Sequence, residues 1–160
     1  MPRINRSYRL GVYAGSFDPL TVGHLWMIKE GTRLFERLVV AVGVNPEKKY
    51  TFSLDERLLM LRESTKRFPN VSIASFSNRY LIRYGQEIGA THILHGIRTE
   101  SDYEFERTMR NINGDLDQEI CRVFLMSPAL KLERALGIQC SFDRLGSNPE
   151  CMQILRAEHG

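Results

Sequence analysis

Between Leu38 and Val44 the chain runs seven residues without a polar side chain, four of them valine. A strand with one wet face alternates apolar and polar residues. A continuous valine-rich run needs cover on both faces, as in a parallel sheet between helical layers. Four other short runs read as strands: Leu10–Ala14, Val71–Ser75, Thr91–Leu94 and Cys121–Met126. Helical spacing separates them. Gly23 to about Phe35 places apolar residues at 25, 28 and 35. Ser53 and Glu56 form a capping box ahead of Leu54, Leu58 and Leu61. Asn78 is the expected cap of a third helix through Leu81, Tyr84 and Ile88, stopped by Gly89. A second box, Ser101 to Glu104, opens a helix toward Ile112. The order β-α-β-α-β-α-β-α-β predicts a five-stranded, open, mostly parallel α/β sheet with right-handed crossovers and helices on both faces. Ligands of such sheets bind at the carboxyl ends of the strands, so the segments Ser16–His24, Asn45–Phe52 and His95–Ser101 are the expected site loops.

The 160 residues, 42% apolar and 26% charged, suffice for one domain, and no repeat, linker or low-complexity stretch divides it. Residues 127–160 carry weaker patterning: Pro128–Arg134 and Pro149–Glu158 read as helical, with loop between. The net charge of +3 suits small anions and does not argue for nucleic acid. No apolar run is long enough to span a membrane. Met1–Arg9 is polar and basic without an apolar core, so no signal peptide is expected. Cys121, Cys140 and Cys151 show no metal spacing and read as reduced thiols in a cytoplasmic protein.

The chemistry concentrates in the first turn. Gly15-Ser16-Phe17-Asp18-Pro19 follows a strand, and Thr21-Val22-Gly23-His24 opens the next helix. A helix N-terminus offers backbone N–H groups and the positive end of a dipole, glycines permit close approach, and a histidine adds a side-chain donor. That combination suits phosphate, although it matches neither the dinucleotide glycine pattern nor the Walker A loop. Capping or core packing is the alternative role for His24. Lys48 and Lys49 lie in the second site loop, either solvated or with at least one ammonium against a phosphate. Gly96-Ile97-Arg98 puts a guanidinium fork near the fourth strand's end. Glu104 suits a cap, and Arg107 and Arg110 a solvated face or a subunit contact. One His, one or two Lys and one Arg around phosphates suggest phosphoryl or nucleotidyl transfer, which needs positioning and charge neutralisation rather than a nucleophile. No carboxylate cluster marks a metal site made by protein alone, so Mg²⁺ held mainly by nucleotide phosphates is expected.

Four stretches, 13–24 (YAGSFDPLTVGH), 45–57 (NPEKKYTFSLDER), 93–106 (ILHGIRTESDYEFE) and 123–126 (VFLM), together resemble the nucleotidyltransferase superfamily with a T/HxGH signature. Within it the chain resembles the bacterial phosphopantetheine adenylyltransferases over roughly residues 9 to 127. The resemblance implies a single Rossmann-like nucleotidyltransferase domain over 1–160, with 127–160 as a divergent C-terminal segment. It implies adenylyl transfer from ATP to 4′-phosphopantetheine, giving dephospho-coenzyme A and pyrophosphate by in-line attack, with Mg²⁺ and no covalent intermediate. By resemblance His24 contacts the α-phosphate and stabilises the transition state, Lys48 bridges acceptor phosphate and nucleotide, and Arg98 holds the nucleotide phosphates. Gly15, Ser16, Phe17, Gly96 and Glu106 fall on the ATP side. Ser16, Lys48 and His95 fall on the acceptor side, Ser16 standing where the family bonds the substrate phosphate. A homo-oligomer, a hexamer built as a dimer of trimers, is also implied.

Three departures stand out. Val22 replaces the usual asparagine of the signature, His95 stands where an arginine is usual, and no serine-rich turn follows Met126, Ser127 and Ser141 being isolated. Two other readings keep the fold. One is cytidylyl transfer to an alcohol phosphate or adenylyl transfer to a mononucleotide, against which Thr21 in place of histidine argues. The other is a nucleotide-binding relative without turnover.

Overall fold

The computed structural model describes residues 8–98, 100–102, 104, 107–108 and 120–126. Strands β1 (Leu10–Gly15), β2 (Arg37–Val44), β3 (Val71–Ser77), β4 (His92–Ile97) and β5 (Cys121–Met126) alternate with helices α1 (Val22–Leu34), α2 (Leu54–Thr65) and α3 (Leu81–Glu87). All strand pairs are parallel, in the order β3-β2-β1-β4-β5. The expected open α/β sheet is present. No helix among the described residues is long and apolar enough to cross a membrane.

Successive residues of a strand face opposite sides of the sheet, and this sorts the core. Leu38, Val40 and Val42, with no solvent exposure, pack with Tyr13, Leu94, Met27 and Ile28 of α1, and Leu58 and Leu61 of α2. Val12 and Ala41 face the other way, against Tyr84 of α3. Thus α1 and α2 cover one face and α3 the other, as right-handed crossovers require once the chain reverses from β3 to β4. Each fully buried Leu, Ile or Val contributes about 1.5–3 kcal/mol. Helix α1 lies close to the sheet because Gly31 faces it: a Cβ there would stand 2.8 Å from Leu38 Cδ2.

Helix ends follow local chemistry, with three corrections. Ser53 Oγ accepts from Glu56 N and Glu56 Oε2 accepts from Ser53 N, so the α2 capping box forms as read. Asn78 does not cap α3. It adopts φ 55°, a left-handed conformation that Asn tolerates, and the cap position falls to Tyr80 without a side-chain bond. Gly89, at φ 70°, supplies the expected stop. Residues 100–102 are already helical, so Ser101 stands inside its helix rather than capping it. β4 runs on to Ile97, placing His95 and Gly96 on a strand instead of a loop, since β5 pairs with them at Phe124 and Leu125. Glu106 and residues 127–160 lie outside the described residues.

Candidate active site

Strands β1 and β4 pair only at Gly11–His92, Val12–Ile93 and Tyr13–Leu94. Beyond that point β1 follows β2 to Gly15 and β4 follows β5 to Ile97. The two strands therefore part at their carboxyl ends, at the point where strand order reverses. A cavity of about 230 Å³ opens there, where ligands of open α/β sheets bind. Ala14, His95 and Gly96 line it from the parted strands, and Gly23 and His24 from the start of α1. Arg98 lines it from just past β4. The structure thus brings His24, His95, Gly96 and Arg98 together.

His24 is held by the helix cap. Thr21 is the N-cap of α1, and its Oγ1 accepts from His24 N at 3.3 Å. In return, Thr21 N–H donates to His24 Nδ1 at 3.0 Å, and Oγ1 lies 2.9 Å from the same nitrogen. The histidine occupies the place that Glu or Gln takes in an ordinary capping box. A ring nitrogen that accepts has a lone pair, so the neutral imidazole carries its proton on Nε2. Burial, and secondarily the Arg98 charge, push the His24 pKa down to about 4. The Phe17 ring, 1% exposed, meets the imidazole edge-on at 5.0 Å between centroids. His24 is therefore a fixed, neutral N–H donor at the positive end of a helix. Such a group complements charge developing on an oxyanion.

The rest of the cavity is of the same character. Arg98 N–H donates to Asp102 Oδ2 at 3.0 Å, while its Nε stands 3.8 Å away, with the side chain 72% exposed. So long and exposed an ion pair contributes little, and the fork remains able to turn onto an anion. The His95 ring stacks on Phe124 at 5.3 Å, an exposed aromatic on β5. Burial raises the Tyr13 pKa well above the usual phenol range, so its hydroxyl stays protonated at the cavity wall.

Gly15, Ser16, Phe17 and Lys48 do not line this cavity. Phe17 is buried behind His24, at φ 48°. Ser16 and Lys48 are linked indirectly, through Arg57 and Tyr50. Arg57, 2% exposed, donates from a terminal guanidinium nitrogen to Ser16 O at 2.8 Å and from Nε to Ser53 O at 3.3 Å. Its guanidinium lies 4.1 Å from the Tyr50 ring centroid, and Lys48 Nζ lies 5.7 Å from the same ring. Asp18 joins the two loops as well, its two oxygens accepting from Thr51 N at 2.7 Å and Phe52 N at 2.8 Å.

The family described as cytidylyltransferase-like matches residues 12–131. The phosphopantetheine adenylyltransferase of Chromobacterium violaceum is 57% identical over 117 residues, covering 73% of this chain and 71% of the relative. That of Desulfatibacillum aliphaticivorans is 46% identical over 140 residues, covering 88% and 79%. The chain belongs to the phosphopantetheine adenylyltransferase family. Solved structures agree on the fold of this family member. A lipopolysaccharide core biosynthesis protein from Thermoplasma volcanium superposes with a TM-score of 0.58 at 22% identity, covering 77% of this chain and all of that one. Pantoate-beta-alanine ligase from Francisella tularensis gives 0.57 at 12% identity, covering 79% and 62%.

Sequence reasoning missed Tyr13, Ala14, Met27 and Leu94 as cavity residues, and Asp18, Tyr50 and Arg57 as the link between loops. A signal for Arg57 existed. Positions 54, 57, 58 and 61 form one helix face, so a charged residue stood in an apolar stripe.

Proposed function

We propose that this chain transfers the adenylyl group of ATP to 4′-phosphopantetheine, forming dephospho-coenzyme A and pyrophosphate. Membership of the family names the reaction. The observation that carries it to this chain is the joining of a neutral His24 donor, a helix N-terminus and the Arg98 guanidinium in one cavity where β1 and β4 part. The acceptor phosphate attacks the α-phosphorus in line. One P–O bond forms, the bond to the β-phosphate oxygen breaks, and pyrophosphate leaves with the electron pair. His24 Nε2–H and the first-turn N–H groups of α1 meet the charge on the α-phosphate oxygens, and Arg98 meets that on the departing phosphates. This is electrostatic catalysis without an enzyme nucleophile.

Lys48 and Ser16 we place on the acceptor side, where the link through Arg57 and Tyr50 supports a shared role. Gly15, Gly96 and Glu106 remain assigned to ATP, and His95 to the acceptor, by family resemblance. Magnesium fits this chain as a companion of the nucleotide. Among the described residues no group of three His, Cys, Asp or Glu side chains converges as a metal site, both Asp18 oxygens serve backbone N–H groups, and the cavity presents donors suited to oxyanions. Bound with ATP, the ion would neutralise charge on the phosphates. ATP as substrate supports a cytoplasmic setting, and family resemblance supports a hexamer, which light scattering after gel filtration would check.

The deciding experiment follows pyrophosphate release from ATP and Mg²⁺ with and without 4′-phosphopantetheine, with dephospho-coenzyme A identified by chromatography. Release that requires the acceptor is the expected result. ATP binding without release would refute this reading in favour of a different phosphate acceptor or a nucleotide-binding relative without turnover.

A further inference from the structure

We propose that Asp18, Tyr50 and Arg57 act as positioning residues that brace the Lys48 loop onto the Ser16 turn, so that acceptor phosphate and lysine meet in a fixed geometry. The inference rests on the transferase reading above and goes beyond it by naming three residues that act through Lys48 and Ser16.

The loop between Val44 and Leu54 contains no helix or strand. Lys48 and Lys49 are exposed, and a solvated lysine loop ordinarily samples many conformations. Its order comes from its ends. At the near end, Asn45 Oδ1 accepts from Glu47 N at 2.9 Å, and Asn45 O accepts from Lys48 N at 3.1 Å. These bonds fold a turn directly under Lys48. That turn is tied to the far end because Asn45 N–H donates to the Tyr50 hydroxyl at 2.8 Å. Asp18 then fastens the far end to the first turn through Thr51 and Phe52.

Arg57 completes the brace from below. A charge that is 2% exposed is costly unless its donors are satisfied, and here they meet the carbonyls of Ser16 and Ser53. The bond to Ser16 O fixes the peptide that leads into Phe17, a non-glycine residue at φ 48°. Such a conformation persists only where its surroundings over-determine it. The Tyr50 ring lies on the same guanidinium, so one side chain orients the Ser16 turn and seats the loop that carries Lys48. A helix-stabilising residue alone would need none of these contacts to the two loops.

The Tyr50→Phe variant removes the hydroxyl that accepts from Asn45 and keeps the ring on Arg57. Asp18→Asn weakens the second tether and serves as a check on the first. Small misplacement of a reacting group costs rate steeply, so each variant should lower kcat by about ten- to a hundredfold and raise KM for the phosphate acceptor more than KM for ATP. In a Lys48→Ala background the same substitution should cost almost nothing further, since residues acting as one unit are not additive. A purely structural role would lower the melting temperature and add to the Lys48→Ala loss. Trypsin gives a readout without turnover: cleavage after Lys48 and Lys49 in the ligand-free protein should quicken several-fold in both variants. The brace is refuted if either the cleavage rate stays at the wild-type value or the kinetic losses add. Should the wild type release no pyrophosphate, the transferase reading fails, and the cleavage rates alone decide whether the loop is braced.

Discussion

His24 serves two purposes that substitution can separate. Its Nδ1 caps α1 through Thr21, and its Nε2–H is the donor assigned to the α-phosphate. His24→Ala removes both. Loss of the reciprocal cap should cost about 1 kcal/mol, a fall of roughly 2–4 °C in melting temperature. Loss of a preorganised transition-state donor should lower kcat by about 10²–10³-fold. His24→Glu separates the effects. Thr21 with Glu at the third helical position is the ordinary capping box, and an acidic residue in the first turn adds about 0.3–1 kcal/mol through the helix dipole. The burial that disfavours a charged histidine also disfavours the carboxylate, so the glutamate variant should melt between the alanine variant and the wild type. Its activity should fall at least as far as that of the alanine variant, because a carboxylate then faces the phosphate. Steady-state pyrophosphate release at saturating substrates, run beside thermal melts, reads both quantities. If His24→Ala stays within a few-fold of wild-type kcat, His24 leaves the mechanism. If the glutamate variant melts as low as the alanine variant, the capping geometry is wrong.

The remaining expectations use the same structure. The folded-state pKa of His24, about 4, lies below its unfolded value near 6.5. Above pH 6.5 both states are neutral there. As pH falls toward 4, the unfolded chain gains a proton that the folded chain refuses, and about 3 kcal/mol of stability is lost. The difference in unfolding free energy between wild type and His24→Gln, measured in urea from pH 7 to 4.5, should shrink or reverse accordingly, and a pH-independent difference would contradict this. Arg98→Ala, at an exposed side chain, should leave the melting temperature within 1–2 °C while raising KM for ATP about ten- to a hundredfold, the worth of a charge-assisted bond. Unchanged KM would remove Arg98 from the nucleotide side. In Gly11→Ala the new Cβ would lie 2.4 Å from Cδ2 of Phe35, a 5%-exposed ring packed on His92. Overpacking of this kind should cost about 1–3 kcal/mol, seen as a lower urea midpoint at constant slope.

Fold class was legible because hydrophobic patterning acts locally. The Leu38–Val44 run announces a strand covered on both faces before any partner is known. Strand ends were less legible because pairing sets them. His95 and Gly96 look like the start of a loop, yet β5 offers them Phe124 and Leu125 as partners, so the strand continues. Asn78 failed for another reason. Asparagine is favoured both as a helix cap and in the left-handed region, and the chain around it selects the second. His24, Gly96 and Arg98 were readable from motif spacing, and His95 only through the family resemblance. The role of Asp18 was not, since its partners Thr51 and Phe52 are 33 and 34 residues away.

His24 shows why a structural and a functional reading need not compete. From sequence, capping and phosphate binding stand as alternatives for this residue. In the structure the first orients the donor that the second would use. Without the Thr21 bonds the imidazole would be free to turn and to place its proton on either nitrogen. The cap takes Nδ1 as acceptor, which leaves Nε2 as the donor. Burial keeps the ring neutral, and Phe17 limits its rotation. A glutamate, the commoner partner in such a box, would cap as well but could not donate. The glycine before it lines the cavity with backbone alone, so it adds no side chain to the helix start. A threonine, a glycine and a histidine at these spacings thus build both a helix start and an oriented donor.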